Sequence, residues 1–215
     1  MKKLLIITVW LVVLSAMESY AQISIKASYK PSYFVSTDDI VAPSYMHGFA
    51  MDVSYNIPIS IKIPLGIEAG LGFHYMLQQS EVDLKISPMA TDTQLSNICL
   101  PVRLTYDVPL SKNAILAPYA GLYARYFLHY KIITTWVEQQ RPPEIVYPFK
   151  SEHASEYLYR GQIGGQVGLL LKANEHFVAE LGYAWDFGYF INRNNAFSDE
   201  KERFHTLTLG IGYRF

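Results

Sequence analysis

Charge is scarce in this chain, and evenly divided between the signs. Lysine and arginine total 18 and aspartate and glutamate 19 in 215 residues, a net charge of −1. Together they make up 17% of the chain, where a soluble domain carries about a quarter. No run of Lys/Arg alternates with stacking aromatics, so neither composition nor pattern supports nucleic-acid binding. Cysteine is all but missing: Cys99 is alone and can close no intramolecular disulfide. Beyond the N-terminal segment, no apolar run approaches the roughly 20 residues that a transmembrane helix needs. If the rest of the chain sits in a membrane, it must cross as strands.

What the chain does have is apolar surface and tyrosine. Half of its residues are apolar and 17 are Tyr, a ring that tolerates both hydrocarbon and water. At the N-terminus, Lys2 and Lys3 precede an apolar stretch from Leu4 to Leu14, and Ser19-Tyr20-Ala21 places small residues before Gln22. This is the layout of a secretory signal peptide, and the apolar stretch is too short for a span. Residues 1–21 are therefore expected to be removed, leaving 22–215 as one domain.

Period-2 alternation runs through that domain. From Leu207 to Phe215 the odd positions are Leu207, Leu209, Ile211, Tyr213 and Phe215, and the even ones are Thr208, Gly210, Gly212 and Arg214. Such alternation marks a strand with one apolar and one polar face. The same pattern recurs over Phe49–Ile57, Leu65–Leu77, Ile98–Val108 and Phe177–Tyr189, and less cleanly over Ile23–Phe34, Ala114–Thr134 and Glu156–Lys172. These are eight strands. Their polar faces are rich in Gly, Ser and Ala, and their apolar faces carry Tyr55, Tyr75, Tyr106, Tyr183 and Tyr213 towards the ends. Small interior residues and an aromatic-rimmed exterior suit a narrow barrel in lipid. The links alternate in length. Those near Val35–Tyr45, Gln79–Thr93, Thr135–Ser155 and Ile191–Lys201 are long, and those near Pro58–Pro64, Pro109–Asn113 and Ala173–Glu175 are short. Both termini then lie on the short-turn, periplasmic side. The expectation is an all-β, eight-stranded antiparallel up-and-down transmembrane β-barrel in the bacterial outer membrane, in contact with outer-membrane lipid.

Several segments resemble a known family. Ile98-Cys99-Leu100-Pro101-Val102-Arg103-Leu104, Pro118-Tyr119-Ala120-Gly121, Gly164-Gly165-Gln166-Val167-Gly168-Leu169 and Leu209-Gly210-Ile211-Gly212-Tyr213-Arg214-Phe215 look like strand and turn patterns of the PorT-like outer-membrane β-barrel family of Bacteroidetes-type bacteria. The Ala21-Gln22 junction is similar to theirs, and the final aromatic resembles the terminal strand recognised by outer-membrane assembly machinery. The resemblance implies a fold; most members of the family have no assigned activity.

Alternation also places charges inside. Parity puts Glu68, Arg103, Asp107, Arg125, Arg160, Glu180 and Asp186 in the interior, with Lys26, Lys30, Asp52, Lys172 and Arg214 nearer its ends. An interior bounded by eight strands is just wide enough to be filled by side chains, and a buried ion must be paired or solvated. A closed ladder of ion pairs is expected, the alternative being a gated ion path. Cys99 has interior parity and reads as a small buried hydrophobe. His74, His129 and His205 fall in strands and His47, His153 and His176 near strand ends, with no metal-like spacing. Asp38-Asp39 reads as a solvated loop pair. His153-Ala154-Ser155-Glu156 faintly resembles the His-x-Ser element of outer-membrane lipid A deacylases, although a third group to orient the base is not evident. The third long loop carries Trp136, Pro142, Pro143, Tyr147, Pro148 and Phe149, which offer a contact surface or pack on the rim. No catalytic, cofactor or metal residue is assigned. The reading is a non-enzymatic outer-membrane barrel acting through its loops or envelope protein partners, with a lipid-modifying or hydrolytic barrel enzyme, or a small pore, as alternatives.

Overall fold

A computed structural model describes residues 22–36, 45–59, 63–82, 89–136, 147–150, 160–188, 191–195 and 198–215. The expected signal peptide, Asp38-Asp39 and the His153–Glu156 segment lie outside these residues. Twelve strands are present among them: β1 (Gln22–Tyr29), β2 (Ser32–Ser36), β3 (Tyr45–Pro58), β4 (Leu65–Val82), β5 (Met89–Tyr106), β6 (Val108–Ser111), β7 (Ala114–Trp136), β8 (Tyr147–Lys150), β9 (Gly161–Ala173), β10 (Phe177–Asp186), β11 (Ile191–Asn195) and β12 (Ser198–Arg214).

Every pairing is antiparallel, in the order β1-β12-β10-β9-β7-β5-β4-β3, and β1 also pairs with β3 to close the ring. Ile25 shows the closure, with Tyr213 as its partner on one side and Val53 on the other. The barrel thus has eight staves. β2 continues the stave of β1 beyond a break at Lys30-Pro31, pairing with both β12 and β3. Proline has no N–H for the ladder. Its carbonyl still accepts the Leu207 N–H at 3.0 Å, and the Lys30 N–H donates to the Gly48 carbonyl at 2.7 Å, so the stave bends without coming apart. β6 prolongs the stave of β5 past Asp107. Asn174 makes the tight turn between β9 and β10 with φ of 45°, a left-handed conformation that Asn tolerates better than most residues.

Burial is inverted relative to a soluble protein. Leu104 is 48% exposed while its neighbour Arg103 is 6% exposed. Along β3, exposed and buried residues alternate without a break from Tyr45 to Ser54. Parity therefore holds, with the apolar face outward.

The loops differ from the sequence-based expectation. β4 and β5 run on to Val82 and from Met89, pairing as far as Val82↔Met89. β7 continues to Trp136 and pairs with β8, and β11 pairs back on β12. All four expected long links thus contain paired strand, the first only at its ends, where Val35 and Ser36 pair with β12 and Tyr45 with β2. A strand needs about 9–11 residues to cross a bilayer, whereas β4, β5, β7 and β12 have 17 to 23. The surplus forms a sheet standing on the long-loop side. Gln22 and Phe215 lie at the other end, where the Phe215 N–H donates to the Ile23 carbonyl at 2.9 Å.

The poor alternation of the Ala114–Thr134 segment has two causes. Tyr119, Tyr123 and Phe127 are aromatic yet face inward. The β5–β7 register also shifts between Ser96 and Asn97, which pair with His129 and Phe127 and leave Leu128 as the extra residue. Such a bulge displaces the parity of everything beyond it. Tyr130, on the other parity, packs on the interior cluster that contains Phe127.

Candidate functional site: the charged interior of the barrel

The interior is layered. At its centre, two cations and two anions from four staves meet. Lys26 Nζ lies 3.0 Å from Glu68 Oε1 and 2.9 Å from Glu180 Oε2. Arg103 Nη1 lies 2.9 Å from Glu180 Oε1 and 3.4 Å from Glu68 Oε1. The Arg103 Nε donates to Gln166 Oε1 at 3.1 Å, and Gln166 donates in turn to the Leu122 carbonyl at 2.9 Å. Tyr119 donates its hydroxyl proton to Glu180 at 2.8 Å, and its ring lies 4.5 Å under the guanidinium. A charge buried this way is compensated by opposite charge, hydrogen bonds and a π face. The Tyr119 ring fits because Gly168 and Gly182 lie beside it; a Cβ at either would collide with the phenol.

Two further groups lie towards the long-loop side. Lys30 Nζ is 3.2 Å from Asp52 Oδ2 and 3.0 Å from His74 Nε2, which itself lies 3.2 Å from Asp52 Oδ1. Ser28 donates to the same aspartate at 3.3 Å. Across the lumen, Arg125 Nη2 approaches Asp186 Oδ1 at 3.6 Å, and Tyr123 donates to that oxygen at 2.5 Å. Near the short-turn end, Lys172 pairs with Asp107 at 2.6 Å. Five Lys or Arg side chains and five carboxylates take part in these pairs, so the described interior network carries no net charge with His74 neutral.

Apolar layers lie on both sides of the centre. Met46, Met76, Leu95, Phe127 and Phe204 form a buried cluster towards the loops, and Ala117, Leu170 and Val178 pack with Tyr119 towards the turns. The gap left among Lys30, Asp52, His74, Cys99, Arg103 and Arg125 is about 30 Å³, room for about two or three water molecules. Among the described residues, Arg125 Nε and Nη1, Asp186 Oδ2 and both polar atoms of Asn97 have no protein partner.

Most of the interior assignments hold, with corrections. Arg160 is exposed, at the bend where β9 begins, and its carbonyl accepts the Phe127 N–H at 2.8 Å. Parity failed there because the residue precedes the strand. Lys26, Lys30 and Asp52 are not near the ends: Lys26 belongs to the central quartet and the other two lie just above it. Lys26 and Lys30 follow soon after Gln22, so a short count along their stave already reaches mid-barrel, and Asp52 of β3 is the register partner of Lys26. Asp107 is only half-buried. Arg214 is partly exposed at the short-turn end and donates to the Glu175 carbonyl at 2.8 and 3.0 Å. Cys99 is buried in the interior. Among the described residues no three His, Cys, Asp or Glu side chains converge as a metal site. The parts missed in sequence were Tyr119, Tyr123 and the apolar layers. Met46 and Met76 share the parity of Asp52 and His74, and that signal was available.

No protein-family model matches the chain, and no curated protein does. Solved structures with a similar course include neisserial surface protein A, NspA (14% identity, TM-score 0.48, covering 90% of this chain and 97% of that one). Others are Ail, the attachment invasion locus protein of Yersinia pestis (12%, 0.43, 91% and 99%), and a major outer membrane protein from Thermus thermophilus (18%, 0.45, 91% and 100%). At such identities and TM-scores these likenesses decide nothing about activity. The wall itself decides the setting: it is closed, so no backbone edge meets lipid, and its outer face is apolar around the ring while its polar groups turn inward. The chain is an integral eight-stave β-barrel of the bacterial outer membrane.

Proposed function

We propose that this protein is a non-enzymatic outer-membrane barrel of the PorT-like kind, whose interior is a structural plug and whose function is exercised by its loop-side sheet on envelope protein partners. The observation carrying this reading is the stacking of an apolar layer on each side of a compensated charge layer. A water-filled path needs a continuous polar lumen, and dewetted apolar constrictions oppose ion passage. The loop-side surplus of β4, β5, β7 and β12, together with β8 and β11, supplies a surface beyond the bilayer. In the enzymatic alternative Ser155 would be the nucleophile and His153 its base, both outside the described residues.

Crosslinking in the organism's own cells, followed by identification of captured envelope proteins, tests the interaction role. A specific partner should be recovered from wild type and lost when the sheet beyond Gln78 and Thr93 is replaced by a short turn. Planar-bilayer recordings should stay at background. Sustained conductance would replace the plug with a pore. Deacylation of outer-membrane lipid that is lost in Ser155→Ala would replace the interaction role with catalysis.

A further inference from the structure

One outward side chain on β1 is small. Ala27 is exposed, with Met51 of β3 and Ile211 of β12 as its partners in register. A methyl between two long side chains makes a dip in the wall. Phe49, Phe73 and Leu209 extend it into a groove of about 700 Å³ crossing β10, β12, β1, β3 and β4, which the register row Glu180, Gly210, Ser28 and Ala50 also lines.

The loop-side end of that groove is polar. Tyr29 and Tyr75 line it there, and the Tyr29 hydroxyl lies 2.6 Å from Nδ1 of His47, with the two rings stacked at 6.1 Å. His47 is exposed on the outward face. When the phenol is the donor in this contact, the imidazole carries its proton on Nε2 and can donate it at the rim. The same device recurs on β12, where the Tyr183 hydroxyl lies 2.5 Å from His205 Nδ1 and the imidazole stacks on Tyr33 at 5.2 Å. Tyrosine at the headgroup level is ordinary in a barrel girdle. An imidazole fixed by a phenol beside an apolar groove is a more specific arrangement.

We propose that this face binds one phosphorylated lipid of the outer leaflet, with an acyl chain in the groove over Ala27 and the phosphate accepting a hydrogen bond from His47. The polarity of the site matches that of the ligand: hydrocarbon at mid-wall, anion acceptor at the loop-side rim. Position selects the leaflet, because the loop side of such barrels faces outward. The inference is independent of the interaction role proposed above.

The test is native mass spectrometry of the detergent-solubilised protein with added monophosphoryl lipid A, its dephosphorylated counterpart, or phosphatidylglycerol. Wild type should retain one lipid A. Ala27→Trp fills the dip and should lower retention about tenfold, a difference of about 1.4 kcal/mol. Leu122→Trp, outward on β7 away from the groove, should leave retention unchanged. His47→Phe preserves stacking without the donor and should weaken retention of the phosphorylated lipid while leaving the dephosphorylated one as in wild type. Folding of each variant is read from its gel shift on boiling, and Ala27→Leu replaces the tryptophan variant if that fails to fold. Ala27 variants that retain lipid as Leu122→Trp does would overturn the groove. An equal effect of His47→Phe on both lipid A forms would overturn the phosphate contact, and stronger retention of phosphatidylglycerol than of lipid A would overturn the outer-leaflet assignment.

Discussion

Arg103 is held on several sides: by Glu180, by Glu68, by the Gln166 amide and by the Tyr119 ring. Arg103→Met leaves Lys26 as the sole cation of the quartet, facing two buried carboxylates. Removing one partner of a buried pair costs about 3–5 kcal/mol, and the loss should appear as a lower urea midpoint in detergent. Glu68→Gln should cost less, because Glu180 remains to both cations. The double variant should recover part of the Arg103→Met loss, since Lys26 and Glu180 then balance. Single variants as stable as wild type, with ion flux raised, would mean that the charges line an aqueous path. Tyr119 permits a second test of packing. Gly182→Ala drives a methyl into the phenol oxygen and should destabilise by about 1–3 kcal/mol. Adding Tyr119→Phe removes that oxygen and should restore part of the loss, even though Glu180 then loses a hydrogen bond; strictly additive losses would show that the two side chains do not meet.

At the level of the strand, facing is what matters. Leu104 and Leu181 point outward at 48% exposure each, and a charge on the lipid face costs about 2–4 kcal/mol at mid-membrane. Leu104→Arg and Leu181→Arg should therefore sharply reduce the folded fraction recovered in lipid vesicles, whereas Leu104→Phe should leave it near wild type. Wild-type yields for both Arg variants would reverse the facing of β5 and β10. The bulge at Leu128 belongs to this scale as well. It lets Phe127 below it and Tyr130 beyond it serve the same interior cluster, although the two differ in parity.

The whole molecule is a wall around an interior filled by side chains, and Cys99 can report whether that interior is sealed. It lies below the layer of Met46, Met76, Leu95, Phe127 and Phe204, 6% exposed, and it is the only cysteine of the chain. A small cationic thiol reagent should leave Cys99 unmodified in the folded wild type and modify it after urea unfolding. Phe204→Ala removes the largest fully buried side chain among the described residues. It should cost about 3–5 kcal/mol and make Cys99 reactive at urea concentrations where the barrel is still folded by its gel shift. Rapid labelling of folded wild type would contradict the seal.

The sequence by itself determined which way most side chains face. In Phe49–Ile57, Leu65–Leu77, Ile98–Val108 and Leu207–Phe215 the two faces differ chemically, and backbone pleating converts that difference into inside and outside with no reference to the rest of the chain. From it came the eight staves and most of the interior charges, while the alternation of long and short links gave the expected polarity of the ends. Where both faces carry large rings, as at Tyr119, Tyr123 and Tyr126 in β7, or where Leu170 joins Lys172 inside, alternation carries no such information. The long links lie between the alternating segments, and backbone pairing beyond the bilayer needs no apolar face, so β8 and β11 left no trace in the pattern. Only the tertiary structure decided the partners. Whether Lys26 meets Glu68 and Glu180, and whether Ala27 falls between Met51 and Ile211, depends on the stagger of strands around the closed ring. That stagger is a property of the whole circuit of hydrogen bonds, whereas facing belongs to each residue's own place in its strand.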